Sequence, residues 1–282
     1  MQLKGILDMP KMPNFYLWIN GEACESTDST EIINPYNGSP IATVSIAECK
    51  HITDALRGCH KAFPRLKYMP RFERASILDR MLNGLRDAMS EMVDALIMEG
   101  GKPKMFAEQE FERTLAVFSW AAEEAKRFCG NRIPMDGMQR GIGYEGYTRR
   151  EPIGPVLGIC PFNFPLNLVS HKVAPALAVG NPIIIKPPTN TPISALILAR
   201  IASEAGAPPG SLNVMPMRHA DVSLLLDSDD IRMVTFTGSP GVGWALKSKA
   251  TKQHVVLELG GNSGTIVDAS ANLSWAAKRC AL

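Results

Sequence analysis

The sequence predicts an α/β protein built on a parallel sheet with helices on both faces. After position 151, short apolar runs at 156–160, 182–186 and 233–236 alternate with segments of helical periodicity. Runs that are apolar at every position are typical of strands buried on both faces, and their alternation with helices indicates βαβ connections. Ligands of such sheets bind beyond the carboxyl ends of the strands, so we search for chemistry there.

The other elements follow from local patterns. Turn signals divide positions 17–44 into short strands, and positions 47–128 show helical periodicity with a break at 100–103. The glycine-rich stretch 130–150 has β character and predicts a projecting strand or hairpin. Further along, Thr191 is a candidate N-cap, 265–267 a short strand and 273–281 a helix.

Composition narrows the possible functions. Of the 282 residues 45% are hydrophobic, which is enough for a core without a metal or a disulfide framework. The net charge of +2 gives no reason to expect nucleic acid or membrane partners. The first fifteen residues lack the apolar core of a signal peptide, and no stretch is long enough to span a bilayer. The six cysteines are scattered without a C-x-x-C pair, so we expect no zinc site and a cytoplasmic location.

Two polar segments follow the first two predicted strands of the sheet. Asn163 stands just before a helix that begins with a proline, where its amide could stabilise an oxyanion; a simple helix-capping turn is the alternative. Lys186 ends the next strand and could hold a ribose or a phosphate, or be a solvated charge.

Two more segments follow later strands. Gly238 and Ser239 lie in a turn between a strand and a helix, where free backbone amides suit a pyrophosphate. Glu258 ends an apolar strand before two glycines, and we expect it to be half-buried, which favours a general base. A surface glutamate at a strand end is the alternative.

These segments together resemble the signature of the aldehyde dehydrogenase superfamily. The motifs P-F-N-F-P at 161–165, K-P at 186–187, F-T-G-S at 236–239 and E-L-G-G at 258–261 occur in that family's order. The resemblance extends from about position 16 onward. It implies a Rossmann-like parallel sheet with helices on both faces and a projecting β-hairpin. The implied domains are a dinucleotide-binding domain at 1–130 and 151–258, an oligomerisation hairpin at 131–150, and the start of an incomplete catalytic domain at 259–282.

The resemblance also implies roles for single residues. In the family a cysteine thiolate adds to the aldehyde, hydride passes to the nicotinamide, and water hydrolyses the thioester. By similarity, Asn163 is the oxyanion donor, Glu258 the base and Lys172 a lysine near the site. The residues implied in cofactor binding are Ile159, Pro161 and Phe162 as pocket walls, Lys186 at the ribose, Gly238 and Ser239 at the pyrophosphate, and Leu259 near the nicotinamide.

The family's nucleophile has no counterpart in the sequence. Cys280 lies inside a predicted helix instead of the family's loop, and Cys160 belongs to a strand where we expect an inert thiol. We therefore expect the chain to bind a dinucleotide but not to oxidise aldehydes alone. The alternatives are a non-catalytic dinucleotide-binding fragment and a subunit that borrows its nucleophile from a partner.

Cofactor and substrate preferences are suggested by three positions. Thr189 replaces a glutamate that repels the 2′-phosphate in many NAD-preferring members, and Arg218 could pair with that phosphate or be a surface cation. These features favour NADP over NAD, as in lactaldehyde and non-phosphorylating glyceraldehyde-3-phosphate dehydrogenases. Arg113 matches an arginine of members acting on small phosphorylated or hydroxylated aldehydes, although an ion pair near Glu110 or Glu112 is the alternative. The implied partners are a small aldehyde and, for the full-length protein, further copies of itself.

Overall fold

A computed structural model of the chain describes residues 12–281. Most of the segment in which we expect no signal peptide lies outside the described residues. The strands are β1 Asn14–Phe15, β2 Leu17–Ile19, β3 Glu22–Cys24, β4 Asp28–Ile33, β5 Pro40–Ile46, β6 Arg132–Ile133, β7 Gly146–Tyr147, β8 Val156–Ile159, β9 Ile183–Lys186, β10 Leu212–Val214, β11 Met233–Gly238 and β12 His254–Leu259. The α-helices are α1 Cys49–Tyr68, α2 Arg71–Asp87, α3 Met89–Gly100, α4 Lys104–Arg127, α5 Asn167–Ala178, α6 Ile193–Glu204, α7 Val222–Leu226, α8 Pro240–Lys249 and α9 Leu273–Ala281.

The central sheet has the strand order β12-β11-β8-β9-β10-β2-β3. Strands β12 to β10 pair in parallel, which confirms the predicted α/β class. At the far edge β2 joins antiparallel to β10 through the pair Trp18 and Val214, so part of the N-terminal strand set extends the main sheet. Strands β1, β5 and β4 form a separate small sheet.

Helices cover both faces of this sheet, as predicted. Side chains alternate between the faces of a strand. On β9, Ile183 and Ile185 accordingly pack into one apolar cluster with α2 to α6, while Ile184 packs into the other with α1 and α7. All three isoleucines are fully buried, so β9 lies at the centre of the core.

The start of α6 corrects the prediction for Thr191. The helix begins at Ile193, and the buried hydroxyl of Thr191 has no hydrogen-bond partner in the described part of the chain. Instead, the carboxylate of Glu99 accepts hydrogen bonds from Ile193 N at 2.6 Å and Ser194 N at 3.1 Å. A side chain from a distant helix therefore caps α6, which local sequence could not indicate.

Of the two elements predicted near the C-terminus, the structure contains the helix but not the strand. The structure contains no strand at 265–267, where Ile266 is 96% exposed and pairs with no neighbouring strand, so that prediction is wrong. Helix α9 matches the predicted range 273–281.

The predicted hairpin is confirmed as a short antiparallel pair, because β6 pairs with β7. Within residues 12–281, no helix is long and apolar enough to cross a membrane.

Candidate active site

A cleft of about 1260 Å³ opens at the carboxyl ends of the parallel strands β8, β9, β11 and β12. The sequence motifs predict that their residues converge on one crevice at this edge of the sheet. The predicted site residues that line this cleft are Ile159, Pro161, Phe162, Asn163, Lys172, Lys186, Thr189, Gly238, Ser239, Glu258 and Leu259. The structure thus brings these residues together, while their individual roles stay predictions.

Asn163 lies in the loop between β8 and α5. Its Oδ1 accepts a hydrogen bond from Phe164 N at 3.1 Å, which leaves the amide NH₂ as the donor end of the exposed side chain. Such a donor is the group that a developing oxyanion requires. Asn163 is not the cap of α5, because the helix begins at Asn167 and its first N–H groups bond elsewhere.

Lys172 of α5 spans the strands beneath the cleft. Its Nζ donates to the hydroxyls of Thr235 at 3.1 Å and Thr237 at 2.9 Å on β11. The side chain crosses β8 at Gly158, where a Cβ would lie 3.2 Å from Lys172 Cδ and 2.6 Å from Ile185 Cδ1. Burial lowers the pKa of Lys172, while the charge of the nearby Glu258 opposes that shift. Lys172 thus ties α5 to β11 and fixes one side of the cleft floor.

Lys186 is buried at the end of β9, so the alternative of a solvated charge is wrong. It is 3% exposed, and its Nζ lies 3.4 Å from the carbonyl oxygen of Pro187. Burial lowers the pKa of Lys186. His219 lines the same cleft, and the charge of Lys186 lowers the pKa of this histidine. Lys186 therefore gives the cleft a cationic corner that suits an anion. The sequence did not indicate His219 as a site residue, although it lines the same cleft.

Arg218 does not line this cleft, and its contact with the cofactor stays a prediction. Its guanidinium donates to Asp28 Oδ2 from Nη2 at 2.6 Å and from Nε at 3.0 Å, and the side chain is largely exposed. The carboxylate of Asp28 on β4 is thus the partner of Arg218 in this structure. The neighbouring residue in the same turn, His219, lines the cleft.

The turn between β11 and α8 presents backbone donors. Ser239 precedes α8 as its N-cap, and Pro240 opens the helix. The N–H groups of a helix's first turn have no intrahelical acceptor, so those at Gly241 and Val242 are available to an anion. Gly243 lets α8 approach β12, because a Cβ there would lie 2.4 Å from Leu259 Cδ2.

Glu258 lies at the rim of the cleft, and the expectation that it is half-buried is wrong. The residue is exposed because β12 is the outermost strand of the sheet and its side chains alternate between exposed and half-buried positions. An exposed carboxylate is in contact with water, which is the molecule that the predicted base would activate.

The two cysteines excluded as nucleophiles are placed as expected. Cys160 is buried after β8, and burial raises the pKa of its thiol to about 12. Because the thiolate is the reactive form, this group is inert near neutral pH. Cys280 is exposed within α9, in the helical setting that the sequence predicts.

A second pocket of about 950 Å³ adjoins the cleft, and it contains Arg113. The two cavities share His171, Lys172, Met233 and Thr235 as lining residues. Among residues 12–281 no carboxylate forms an ion pair with Arg113, and Glu110 pairs with Lys102 instead. The predicted alternative of an ion pair for Arg113 is therefore wrong.

Comparison with known proteins decides the family. A model described as the aldehyde dehydrogenase family matches residues 18–282. The chain belongs to the aldehyde dehydrogenase family. Among similar aldehyde dehydrogenases, the 3-sulfolactaldehyde dehydrogenase of Priestia megaterium is 37% identical over 270 residues, which cover 95% of this chain and 56% of that protein. The NADP-dependent succinate-semialdehyde dehydrogenase of Saccharomyces cerevisiae is 35% identical over 97% of this chain and 55% of that protein.

Solved structures of family members share the fold. The NADP-dependent glyceraldehyde-3-phosphate dehydrogenase of Bacillus halodurans, complexed with NADP, superposes with a TM-score of 0.90 at 32% identity, covering 94% of this chain and 56% of that one. Aldehyde dehydrogenase 21 of Physcomitrella patens, in complex with succinate, gives a TM-score of 0.87 at 37% identity, covering 90% and 53%. The chain thus spans about half the length of the family members it matches.

Proposed function

We propose that this chain forms the dinucleotide-binding part of an NAD(P)-dependent aldehyde dehydrogenase, with NADP preferred over NAD. The observation that supports the proposal most strongly is the cleft, in which a buried ammonium, a helix N-terminus, an amide and a carboxylate meet at one sheet edge. The NADP complex of the similar Bacillus halodurans protein adds support. Oxidation of the aldehyde belongs to the whole protein, and the chain alone would bind the dinucleotide without turnover.

The cleft residues fit a dinucleotide. The first turn of α8 offers N–H donors to the pyrophosphate, next to Gly238 and Ser239. Lys186 is buried and, among residues 12–281, has only the weak 3.4 Å contact with a carbonyl, so its ammonium can gain a ribose hydroxyl as a partner. Thr189 and His219 line the same cleft as Lys186 and would face a 2′-phosphate without a carboxylate to repel it. Ile159, Pro161, Phe162 and Leu259 supply apolar walls.

The chain's own residues would prepare the aldehyde for reaction. Asn163 would donate its amide N–H to the oxygen of the tetrahedral adduct, and Glu258 would remove a proton from water or from the attacking thiol. Lys172 would hold α5 against β11 and keep a positive charge beside the reacting groups. When bound, the nicotinamide would accept the hydride. We assign the nucleophile neither to Cys160, whose thiol is buried, nor to Cys280, which lies within helix α9.

The adjoining pocket supports a small aldehyde with an anionic end as the substrate. Arg113 lines it without a carboxylate partner in the described part of the chain, and His171 lies beside the boundary with the cleft. A guanidinium binds carboxylate, sulfonate or phosphate groups with paired hydrogen bonds. The names of similar family members, a sulfolactaldehyde and a semialdehyde dehydrogenase, are consistent with such a substrate.

The remaining assignments are also proposals. The hairpin at 131–150 would serve homo-oligomerisation of the whole protein, since Ile142, Tyr144 and Tyr147 expose apolar surface there. Residues 1–130 and 151–258 would form the dinucleotide-binding domain, and 259–282 would begin the catalytic domain. We propose a cytoplasmic location and neither nucleic acid nor membrane partners.

Titration of the purified protein with NADP and NAD tests the proposal, and Thr189→Glu sharpens it. The new carboxylate should accept ribose hydroxyls of NAD and repel the 2′-phosphate, so the NADP preference should fall by roughly tenfold or more. Thr251→Glu is the matched control, because Thr251 is exposed and does not line the cleft. Absence of binding to both dinucleotides would reject the function, and an unchanged preference in Thr189→Glu would reject the assignment of the phosphate site.

A further inference from the structure

The corner between α3 and α4 lies behind the cleft and holds two buried acidic residues. Glu99, one residue before the end of α3, is 2% exposed, and Glu110 in α4 is 1% exposed. Neither carboxylate lines the cleft or the adjoining pocket. Buried carboxylates are costly unless hydrogen bonds or charges compensate them, so their partners indicate what they do.

Glu99 is bound to the beginning of α6. Its two oxygens accept hydrogen bonds from Ile193 N and Ser194 N, one each. These N–H groups belong to the first turn of the helix, where the helix dipole also favours a negative charge. Helix α6 follows the loop 187–192, in which Thr189 lines the cleft. Glu99 therefore holds the rear end of the loop that follows β9.

Glu110 makes the corresponding contact with α5. Its Oε1 accepts hydrogen bonds from Leu166 N and Asn167 N, both at 3.0 Å. Its Oε2 pairs with the ammonium of Lys102. That ammonium also lies 4.2 Å from the ring centroid of Phe164, the residue after the proposed oxyanion donor. Glu110 and Lys102 therefore hold the loop 161–166 from behind.

We propose that Glu99 and Glu110 are positioning residues that set the two loops of the cleft separately. Glu99 sets the loop that carries Thr189, and Glu110 sets the loop that carries Asn163. The expected effects on cofactor binding and on oxyanion stabilisation rest on the proposed function. The separate anchoring of the two loops does not depend on it. One short corner of the chain thereby supplies a separate anchor for each loop.

Backbone amide exchange tests the anchoring directly in the complete protein. The NH₂ group of glutamine would face the second backbone donor at position 99 and the ammonium of Lys102 at position 110, so each Glu→Gln change should release one helix start. In Glu110→Gln, exchange at residues 164–168 should rise by roughly tenfold or more while residues 190–195 stay protected. Glu99→Gln should give the opposite pattern. Equal changes in both segments, or no change in either, would overturn the proposal.

Matched controls exist on the same helices. Glu112→Gln alters an exposed acid of α4, and Asp94→Asn an exposed acid of α3, and both should leave the two segments protected. Should Glu110→Gln fail to fold, Lys102→Gln keeps the backbone acceptor and removes its counter-ion together with the cation contact to Phe164. Its exchange should then rise at 164–168 alone, and a rise at 190–195 would contradict the separate anchors.

Steady-state kinetics of the complete enzyme separates positioning from general damage. Glu110→Gln should lower kcat by roughly tenfold with little change in the KM for NADP, because it moves Asn163. Glu99→Gln should mainly raise the KM for NADP. If both variants showed a lower kcat together with a higher KM for NADP, separate roles would be contradicted. If the wild-type protein binds no dinucleotide, the proposed function fails, and the exchange pattern still decides the anchoring.

Discussion

Strands β9 and β12 belong to the same parallel sheet and are both rich in branched apolar residues, yet their environments differ. On β9 every residue is buried, including Lys186. On β12 exposed and half-buried residues alternate, and Val256 and Glu258 are exposed. Position in the sheet causes the difference, because β9 has a neighbour on each side and helices on both faces, whereas β12 is the edge.

This comparison divides the cleft into two walls. The wall formed by β8, β9 and the loops behind them is packed against the core and anchored by Glu99 and Glu110. The wall formed by α8 and β12 is thinly packed, since Gly243 is the one buried residue of α8. The residues proposed for the ribose and the oxyanion thus lie on the rigid wall, and the proposed base lies on the exposed one.

The largest difference between the walls should appear in core truncations. Ile184→Ala removes a fully buried side chain and should lower the free energy of unfolding by about 2–5 kcal/mol. Val256→Ala, at an exposed position of β12, should change it by less than about 0.5 kcal/mol. Urea unfolding of both variants measures the two values. Similar losses would show that β12 is as well covered as β9.

The second difference concerns pH. Burial raises the pKa of Glu99 to about 7 from a usual value of 4.5, and the carboxylate of Glu110 adds to the shift. Because the pKa of Glu99 is higher in the folded state, its protonated form contributes to the free energy of unfolding. This contribution is fully present below about pH 4.5 and is lost as pH rises through about 7. The slope in this window should reach at most about 1.4 kcal/mol per pH unit. Urea unfolding of Glu99→Gln across this range should show a flatter profile than wild type, and an identical slope would contradict the assignment.

A third prediction compares glycines of the two walls. Gly158→Ala places a Cβ 2.6 Å from the buried Ile185 Cδ1 and close to Lys172, and should cost about 1–3 kcal/mol. Gly261→Ala, where a Cβ meets nothing within 4 Å, should leave thermal stability nearly unchanged. Thermal unfolding measures both, and an unaffected Gly158→Ala would show that the floor of the cleft can rearrange.

The smallest effect is on thiol reactivity and requires no substitution. Cys160 on the packed wall should react with a thiol reagent only on unfolding, because burial raises its pKa to about 12. Cys280, exposed in α9, should react in the native state. Peptide mapping after brief labelling distinguishes the two. Native labelling of Cys160 would indicate that the packed wall opens.

The parallel sheet and the position of the cleft could be predicted because both depend on local patterns. Apolar runs such as 182–186 indicate buried strands, and the rule that ligands bind beyond their carboxyl ends selects residues like Asn163 and Lys186. Such reasoning needs no knowledge of which distant segments meet. It fails at 265–267, where a short apolar run finds no partner strand in the described structure.

The contacts that escaped prediction join segments far apart in sequence. Arg218 binds Asp28 across 190 residues, and Glu99 binds Ile193 across 94. The exposure of Glu258 depends on β12 lying at the edge, which composition does not reveal. A signal was present for the anchors, because Glu99 and Glu110 occupy positions among the apolar residues of their helices. A charge on the buried face of a helix requires a partner, even when sequence cannot name it.

The attachment of β2 to β10 has a consequence for how the chain is made. The backbone N–H of Asn20, beside β2, donates a hydrogen bond to Asn213 Oδ1, 193 residues later. At a synthesis rate of roughly 5–20 residues per second, this partner emerges about 10–40 s after the strand that needs it. During that interval Leu17 and Ile19, both buried in the finished fold, lack their final neighbours on the sheet. The nascent chain therefore exposes apolar side chains of β2 until β10 has been synthesised.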